Sequence, residues 1–222
     1  EQLNKTALKT HGADPNGQLY KINSFEFLRN EDIIRLTTDP AYDQTAFEAL
    51  LEIKGDSDHS KLIEMLEVLN DETSSMEDEL FVTYFDKENI AYWMAFQLLT
   101  GNTDTQNRNV YLYSPQNSSK WYLWDWDNDG MLRRREREII KFSDSESWER
   151  GVSNYWGNVL FRRCLQTQSY RDMLDAAMKE LYAYMNETRI QSMLEHYRSV
   201  TETYVWQMPD RMYVPITHAE YE

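Results

Sequence analysis

The sequence predicts a mainly helical α+β fold, and three observations support this prediction. Apolar residues recur at helical spacing in several segments that are separated by cap and turn residues. Two short runs of β-forming residues, VYLY (110 to 113) and KWYLWDW (120 to 126), flank the turn-rich SPQNSS and predict a hairpin. The 222 residues, of which 41% are hydrophobic, are enough to bury a core as one domain over residues 1 to 222.

The N-terminal part predicts a strand followed by helices. The segment QLYKI (18 to 22) is expected to be a short strand after an ADPNG turn signal. The segment AFEALLEIKG (46 to 55) is ambiguous between helix and strand, and we assign it to a helix. A clearer helix is predicted from residue 58 to residue 70, where leucines and an isoleucine lie on one face.

Two further helices are predicted by their end signals. Ser75 is expected to begin a short helix with acidic residues in its first turns, where they favour the positive end of the helix dipole. Asp86 is expected to cap the next helix, which runs to Gly101, a typical helix stop. Trp93 lies on the apolar stripe of that helix, so we expect it to pack in the core.

The C-terminal part predicts a loop and a helical tail. Residues 143 to 157 have the composition of a loop, and helical periodicity then recurs twice between residues 158 and 207, with a break at residues 185 to 188. The only cysteine, Cys164, lies in an apolar helical stretch, so we expect a buried and unreactive thiol. A single cysteine cannot form a disulfide within the chain, so cysteine content does not show whether the protein works in an oxidising or a reducing compartment.

The charge of the chain excludes two classes of partner. A formal net charge of −15 argues against a general nucleic-acid binder and against a binder of anionic membranes, both of which need a basic surface. No run of about 18 apolar residues is present, so we expect no membrane span. A basic cluster at residues 133 to 137 stands out, and a solvated helix face is its simplest interpretation.

Acidic and amide residues concentrate between residues 102 and 130 at spacings that phosphoryl transfer uses. Asp104 is followed five positions later by Asn109, and Asp125 and Asp127 come after the predicted hairpin. In kinases an Asp orients the substrate hydroxyl, an Asn after four intervening residues holds a metal, and a later Asp holds the metals on the nucleotide phosphates. Because the hairpin folds back, we expect Asn109, Asp125 and Asp127 to converge beside Asp104 as the metal ligands and the catalytic Asp.

The same stretch resembles the CotH kinase-like family of spore-coat and cell-surface proteins. The resemblance rests on FDKENIAYWMAFQLLTGNTDTQNRNVYLY (85 to 113), KWYLWDWDND (120 to 129) and the upstream GQLYKI (17 to 22). It covers about residues 1 to 165 and is specific from residue 85 onwards. The resemblance implies a protein-kinase-like C-lobe in which the hairpin carries the metal site.

The resemblance also implies the chemistry of the full-length protein. It implies ATP as phosphoryl donor, Mg²⁺ or Mn²⁺ as the metal, a protein Ser/Thr acceptor, and a location outside the cell or on the cell or spore surface. Trp124, beside Asp125, is the candidate to stack on the adenine, although burial in the core is the more common role of such a tryptophan. Similar proteins have a long region before the Leu-Tyr-Lys segment, and no G-x-G-x-x-G occurs here. We therefore expect the nucleotide-binding lobe to lie outside this chain, which alone would show little activity.

Two other functions remain open. The segment DWDNDGMLRRRE (125 to 136) fits the twelve-residue calcium loop, with oxygen ligands from Asp125, Asp127, Asp129 and Glu136. Against this interpretation, a calcium loop of this type follows an amphipathic helix, whereas the residues before Asp125 are β-forming. A catalytically inactive surface or spore-coat interaction module with a kinase-like fold is the other alternative.

Overall fold

The chain folds as an α+β protein in a computed structural model, which describes residues 3–102, 105–131 and 153–214. It is 53% helical, so the prediction of a mainly helical α+β fold is confirmed. The described α-helices are α1 Lys5–Thr10, α2 Gln44–Leu50, α3 Ser60–Asn70, α4 Lys87–Thr100, α5 Val159–Gln166, α6 Gln168–Tyr184 and α7 Glu187–Val205. A π-helix, Met76–Tyr84, lies between α3 and α4.

Four antiparallel strands form one sheet in the order β2-β1-β3-β4. They are β1 Gln18–Ile22, β2 Leu51–Ile53, β3 Val110–Ser114 and β4 Tyr122–Asp125. The predicted strand and hairpin are present. The helix assigned to residues 46 to 55 is wrong in its second half, because the backbone becomes extended at Leu51 and β2 pairs with β1.

Both faces of strand β3 are buried, although an alternating strand predicts burial of one face. The second face is covered by α1, whose residues Ala7 and Leu8 join Leu19, Tyr111 and Tyr113 in one apolar cluster. No helix was predicted before the first strand, yet α1 lies there and completes the packing of the sheet. Its N-cap is Asn4, whose side chain accepts hydrogen bonds from two backbone N–H groups.

Helix α4 is held at both ends by the residues that the sequence predicts. The Asp86 side chain accepts a hydrogen bond of 2.8 Å from the Asn89 backbone N–H, and Gly101 ends the helix with φ 64°. The Asn89 side chain in turn donates to the Leu123 carbonyl and accepts from the Leu123 N–H. This exchange docks α4 against β4, so the helix is fixed relative to the hairpin.

The C-terminal part contains three helices rather than two. The Thr167 backbone is extended, which ends α5 before α6 begins, and the predicted break after residue 185 separates α6 from α7. Contacts divide the chain into two compact units, residues 1 to 178 and residues 179 to 222. Cys164 lies in the first unit and is buried, as predicted. Among the described residues, no helix has the length and apolar character needed to cross a membrane.

Candidate functional site

Strands β3 and β4 bring two predicted metal ligands to one end of the hairpin. Val110 and Asp125 are partners in the antiparallel register, and Asn109 directly precedes Val110. Cross-strand partners have Cα atoms about 4.5 to 5.5 Å apart, so the Asn109 backbone lies beside Asp125. Asp127 follows two residues later, where the chain leaves β4 for a short 3₁₀ turn, Asn128–Gly130.

The backbone is left-handed at both places where the chain enters and leaves this end of the hairpin. Asn109 has φ 54° and Asp127 has φ 58°. Asn and Asp tolerate this conformation better than other residues with side chains, yet it is uncommon and clusters at ligand sites. Two of the three predicted metal ligands therefore lie at positions where the chain turns sharply.

The Asp125 carboxyl group lies against buried polar side chains, although the residue as a whole is exposed. Burial raises the pKa of Asp125, while hydrogen bonding from Gln97 and an interaction with the Trp93 indole partly offset this rise. The Trp93 N–H itself has no hydrogen-bond partner of standard geometry among the described residues. A cation bound here would therefore stabilise a partly dehydrated carboxylate.

Gln97 is a site residue that sequence reasoning missed. It lies in the last turn of α4, is 1% exposed, and its Nε2 donates a 2.5 Å hydrogen bond to Asp125 Oδ1. Its Oε1 accepts a longer hydrogen bond of 3.5 Å from Thr105 Oγ1. The sequence does contain a signal for it. Gln97 lies one helical turn after Trp93 in an apolar stretch, and a buried amide at such a position requires hydrogen-bond partners.

A second contact from the end of α4 reaches the turn that carries Asp127. Asn102 is 2% exposed, and its Nδ2 donates to Asn128 Oδ1 at 3.3 Å. Its Oδ1 lies 3.0 Å from the position that a Cβ on Gly130 would occupy. A glycine at this position thus lets the turn approach the end of the helix closely.

Comparison with known protein families shows which family the chain belongs to. The family model of the CotH kinase protein matches residues 1–222, which is the entire chain. The chain belongs to the CotH kinase family. The match extends past residue 165, where the resemblance seen in the sequence was expected to end. No curated protein matches the chain significantly.

Trp124 lies on the opposite face of β4 from Asp125. Successive residues of a strand alternate between faces, and Trp124 packs on the α1 side of the sheet. Its ring is 5.4 Å from the Tyr113 ring and 6.3 Å from the His11 ring. Trp124 is half-buried, so its proposed stacking on adenine stays a prediction. Trp93 packs in the core, as expected, with its ring parallel to that of Phe161 at 5.3 Å.

Several predicted residues lie outside the described part of the chain. They are the predicted catalytic residue Asp104, the basic cluster at residues 133 to 137, and Glu136 of the calcium loop. The element that enters this loop is the strand β4, whereas the calcium loop requires a helix there. This finding weakens the calcium interpretation of Asp125, Asp127 and Asp129.

The predicted ligands Asn109, Asp125 and Asp127 carry amide and carboxylate oxygens, the donor type that Mg²⁺ and Mn²⁺ use. Among the described residues, no group of three or more His, Cys, Asp or Glu side chains is arranged to hold a metal. Magnesium sites in phosphotransferases use one or two carboxylates, with phosphate and water oxygens completing the shell. The metal site that the sequence predicts at Asn109, Asp125 and Asp127 stays a prediction.

Proposed function

We propose that the chain carries the metal site and catalytic loop of an atypical protein kinase, which transfers the γ-phosphate of ATP to protein Ser or Thr hydroxyls with Mg²⁺ or Mn²⁺. The observation that supports this proposal is the β3–β4 register, in which Asp125 pairs with Val110, the residue directly after Asn109. Membership of the CotH kinase family supports the reaction class. Carboxylates at strand ends also occur in other folds, so this geometry alone does not single out a kinase. The family match is what makes the kinase function the best supported.

The residues of the hairpin end would act by holding and orienting the metal. The Asn109 amide oxygen and the Asp125 and Asp127 carboxylates would form the protein part of its shell. When bound, such a metal neutralises charge on the transferring phosphate and orients it for in-line attack. One of these carboxylates, that of Asp125, accepts a hydrogen bond from Gln97.

The role of Asp104 is assigned from its position in the sequence. It precedes Asn109 by five residues, as the hydroxyl-orienting Asp of kinases precedes the metal-binding Asn. In the proposed reaction the acceptor oxygen forms a bond to the γ-phosphorus as the bond to the β-phosphate oxygen breaks. The hydroxyl proton passes to the Asp104 carboxylate.

Family membership supports the proposed partner and location. We propose a protein substrate and a place of action outside the cell or on the cell or spore surface. The formal net charge of −15 is consistent with a protein that binds neither nucleic acid nor anionic membrane surfaces. A catalytically inactive interaction module is the competing function, because a kinase-like fold does not require activity.

Phosphoryl transfer by the full-length protein that contains this chain tests the proposal. The assay measures radiolabel transfer from ATP to protein acceptors with Mg²⁺ or Mn²⁺, for the wild type and for Asp104→Asn and Asp125→Asn. Asp104→Asn should abolish turnover and leave ATP binding nearly intact, because it changes only the hydroxyl-orienting group. Asp125→Asn should weaken metal-nucleotide binding as well, because it removes a charge from the metal shell.

Asp129→Asn is the matched control, since it removes a carboxylate from Asn128–Gly130, the turn that follows Asp125 and Asp127. It should retain normal activity if the metal site consists of Asn109, Asp125 and Asp127. Tight calcium binding that is lost in Asp129→Asn would instead support the calcium loop. If the wild type transfers no phosphate with any divalent metal and a range of acceptors, the inactive interaction module becomes the better explanation.

A further inference from the structure

The geometry points to Gln97 as a positioning residue that fixes the Asp125 carboxylate for metal binding. This inference rests on the proposed function, because it requires Asp125 to be a metal ligand. Gln97 would touch neither the metal nor the substrate. It would act by holding one carboxylate oxygen so that the other is presented at the exposed end of the hairpin.

The first support is the environment of the Gln97 amide. Gln97 follows apolar residues on α4 and is 1% exposed, so its amide cannot be solvated by bulk water. A buried amide without partners costs free energy, and a polar residue at this helix position therefore needs a reason. The short hydrogen bond to Asp125 Oδ1 is the partner that the structure provides.

The second support is that the orientation of the amide is fixed by chemistry. The Nε2 group must face Asp125, because an amide oxygen placed 2.5 Å from a carboxylate oxygen would be repelled. The Oε1 atom then faces the hydroxyl of Thr105, which is 1% exposed and donates to it. Both ends of the amide are thus occupied, and the side chain has one favourable orientation.

The third support is the position of these partners in the chain. Thr105 directly follows Asp104, and Asp125 is the last residue of β4. The Gln97 backbone carbonyl also accepts a hydrogen bond of 3.0 Å from the Asn102 N–H. One residue of α4 therefore contacts both segments from which the proposed catalytic and metal-binding residues come.

Manganese binding separates a positioning role from a merely structural one. The experiment titrates the full chain with Mn²⁺ alone, measures free Mn²⁺ by electron paramagnetic resonance, and records thermal unfolding of each variant. Gln97→Met removes both polar groups while keeping a side chain of similar length. It should weaken Mn²⁺ affinity by on the order of 10-fold or more, as loss of the partners of metal ligands does.

Gln18→Met is the matched control, because it makes the same chemical change at another buried glutamine. Gln18 is 5% exposed and donates a 2.6 Å hydrogen bond to the Asp58 carbonyl, in contact with a different part of the sheet. This variant should lose stability but bind Mn²⁺ as the wild type does. If Gln97→Met is too unstable to purify, Gln97→Asn replaces it, since the shorter side chain keeps the amide but withdraws it from Asp125.

Three outcomes decide the inference. Loss of Mn²⁺ affinity in the Gln97 variant but not in Gln18→Met supports it. Wild-type affinity in the Gln97 variant, with affinity lost in Asp125→Asn, overturns the positioning role and leaves the proposed metal site standing. If the wild type and Asp125→Asn both fail to bind Mn²⁺, the proposed metal site and the positioning role fall together.

Discussion

His59 is a buried titratable residue whose two ring nitrogens both meet tyrosine hydroxyls. Its Nδ1 lies 2.8 Å from the Tyr20 hydroxyl, its Nε2 lies 3.2 Å from the Tyr42 hydroxyl, and its ring stacks on Phe47 at 4.0 Å. Burial lowers the pKa of His59 to about 4, against the opposing effect of nearby aspartates. The neutral imidazole is therefore the form that the native packing requires.

We predict that stability falls as the pH is lowered from 7 to 5. The pKa of histidine is about 6.5 in the unfolded chain, so between that pH and about 4 the unfolded state binds more protons than the folded state. The free energy of unfolding should decrease by about 2 kcal/mol between pH 7 and pH 5. Urea denaturation at several pH values measures this change.

Two variants show whether His59 causes the pH dependence. His59→Gln should be less stable at pH 7 but should lose most of the change between pH 7 and pH 5. His196→Gln, which alters an exposed histidine, should retain it. A wild type that is equally stable at pH 7 and pH 5 would show that the buried imidazole can be protonated without cost.

At the scale of elements, the turn Asn128–Gly130 depends on close approach to the end of α4. A Cβ on Gly130 would lie 3.0 Å from Asn102 Oδ1, and the Asn102 side chain also donates to Asn128. We predict that Gly130→Ala shifts the turn and weakens Mn²⁺ binding about fivefold, which corresponds to about 1 kcal/mol. The same Mn²⁺ titration measures this loss.

Gly157→Ala is the control for this prediction, because no atom of the described residues lies within 4 Å of the added Cβ. It should bind Mn²⁺ with wild-type affinity. Equal affinity in Gly130→Ala and the wild type would mean that the turn has room to move away from Asn102 without disturbing the metal ligands.

Helix ends were predictable from the sequence because their signals are local. Asp86 caps α4 with its own side chain, and Gly101 ends it in a conformation that glycine adopts easily. Strand β2 was not predictable in this way, because its extended backbone depends on pairing with β1, some thirty residues earlier. The sequence of residues 46 to 55 is ambiguous between helix and strand, and the pairing with β1 makes the backbone extended after Leu50.

The candidate site was predictable to the extent that the hairpin determines it. Alternation and turn residues predict the β3–β4 pairing, in which Val110, the residue after Asn109, lies opposite Asp125. The metal site itself stays a prediction. The contact of Gln97 with Asp125 was not predictable, because it depends on how α4 docks on the sheet. Trp124 shows the same limit, since only the position of α1 reveals what covers its face of β4.

At the scale of the whole molecule, every described residue of the candidate site lies in the first compact unit, residues 1 to 178. The core of that unit also contains Cys164, which is fully buried, and burial raises the pKa of its thiol far above the ordinary value. We predict that maleimide and disulfide reagents react with Cys164 at measurable rates only after unfolding. Reaction followed in buffer and in concentrated urea checks this, and rapid labelling in buffer alone would contradict it.

The buried thiol makes the chain a ready background for site-specific probes. Cys164 is the only cysteine in the sequence, so a cysteine introduced on the surface becomes the sole fast-reacting position. Asn117, exposed in the β3–β4 connection, is one such position. A fluorophore or spin label can be attached there without replacing Cys164, and distances from the hairpin tip to a bound Mn²⁺ then become measurable in the native protein.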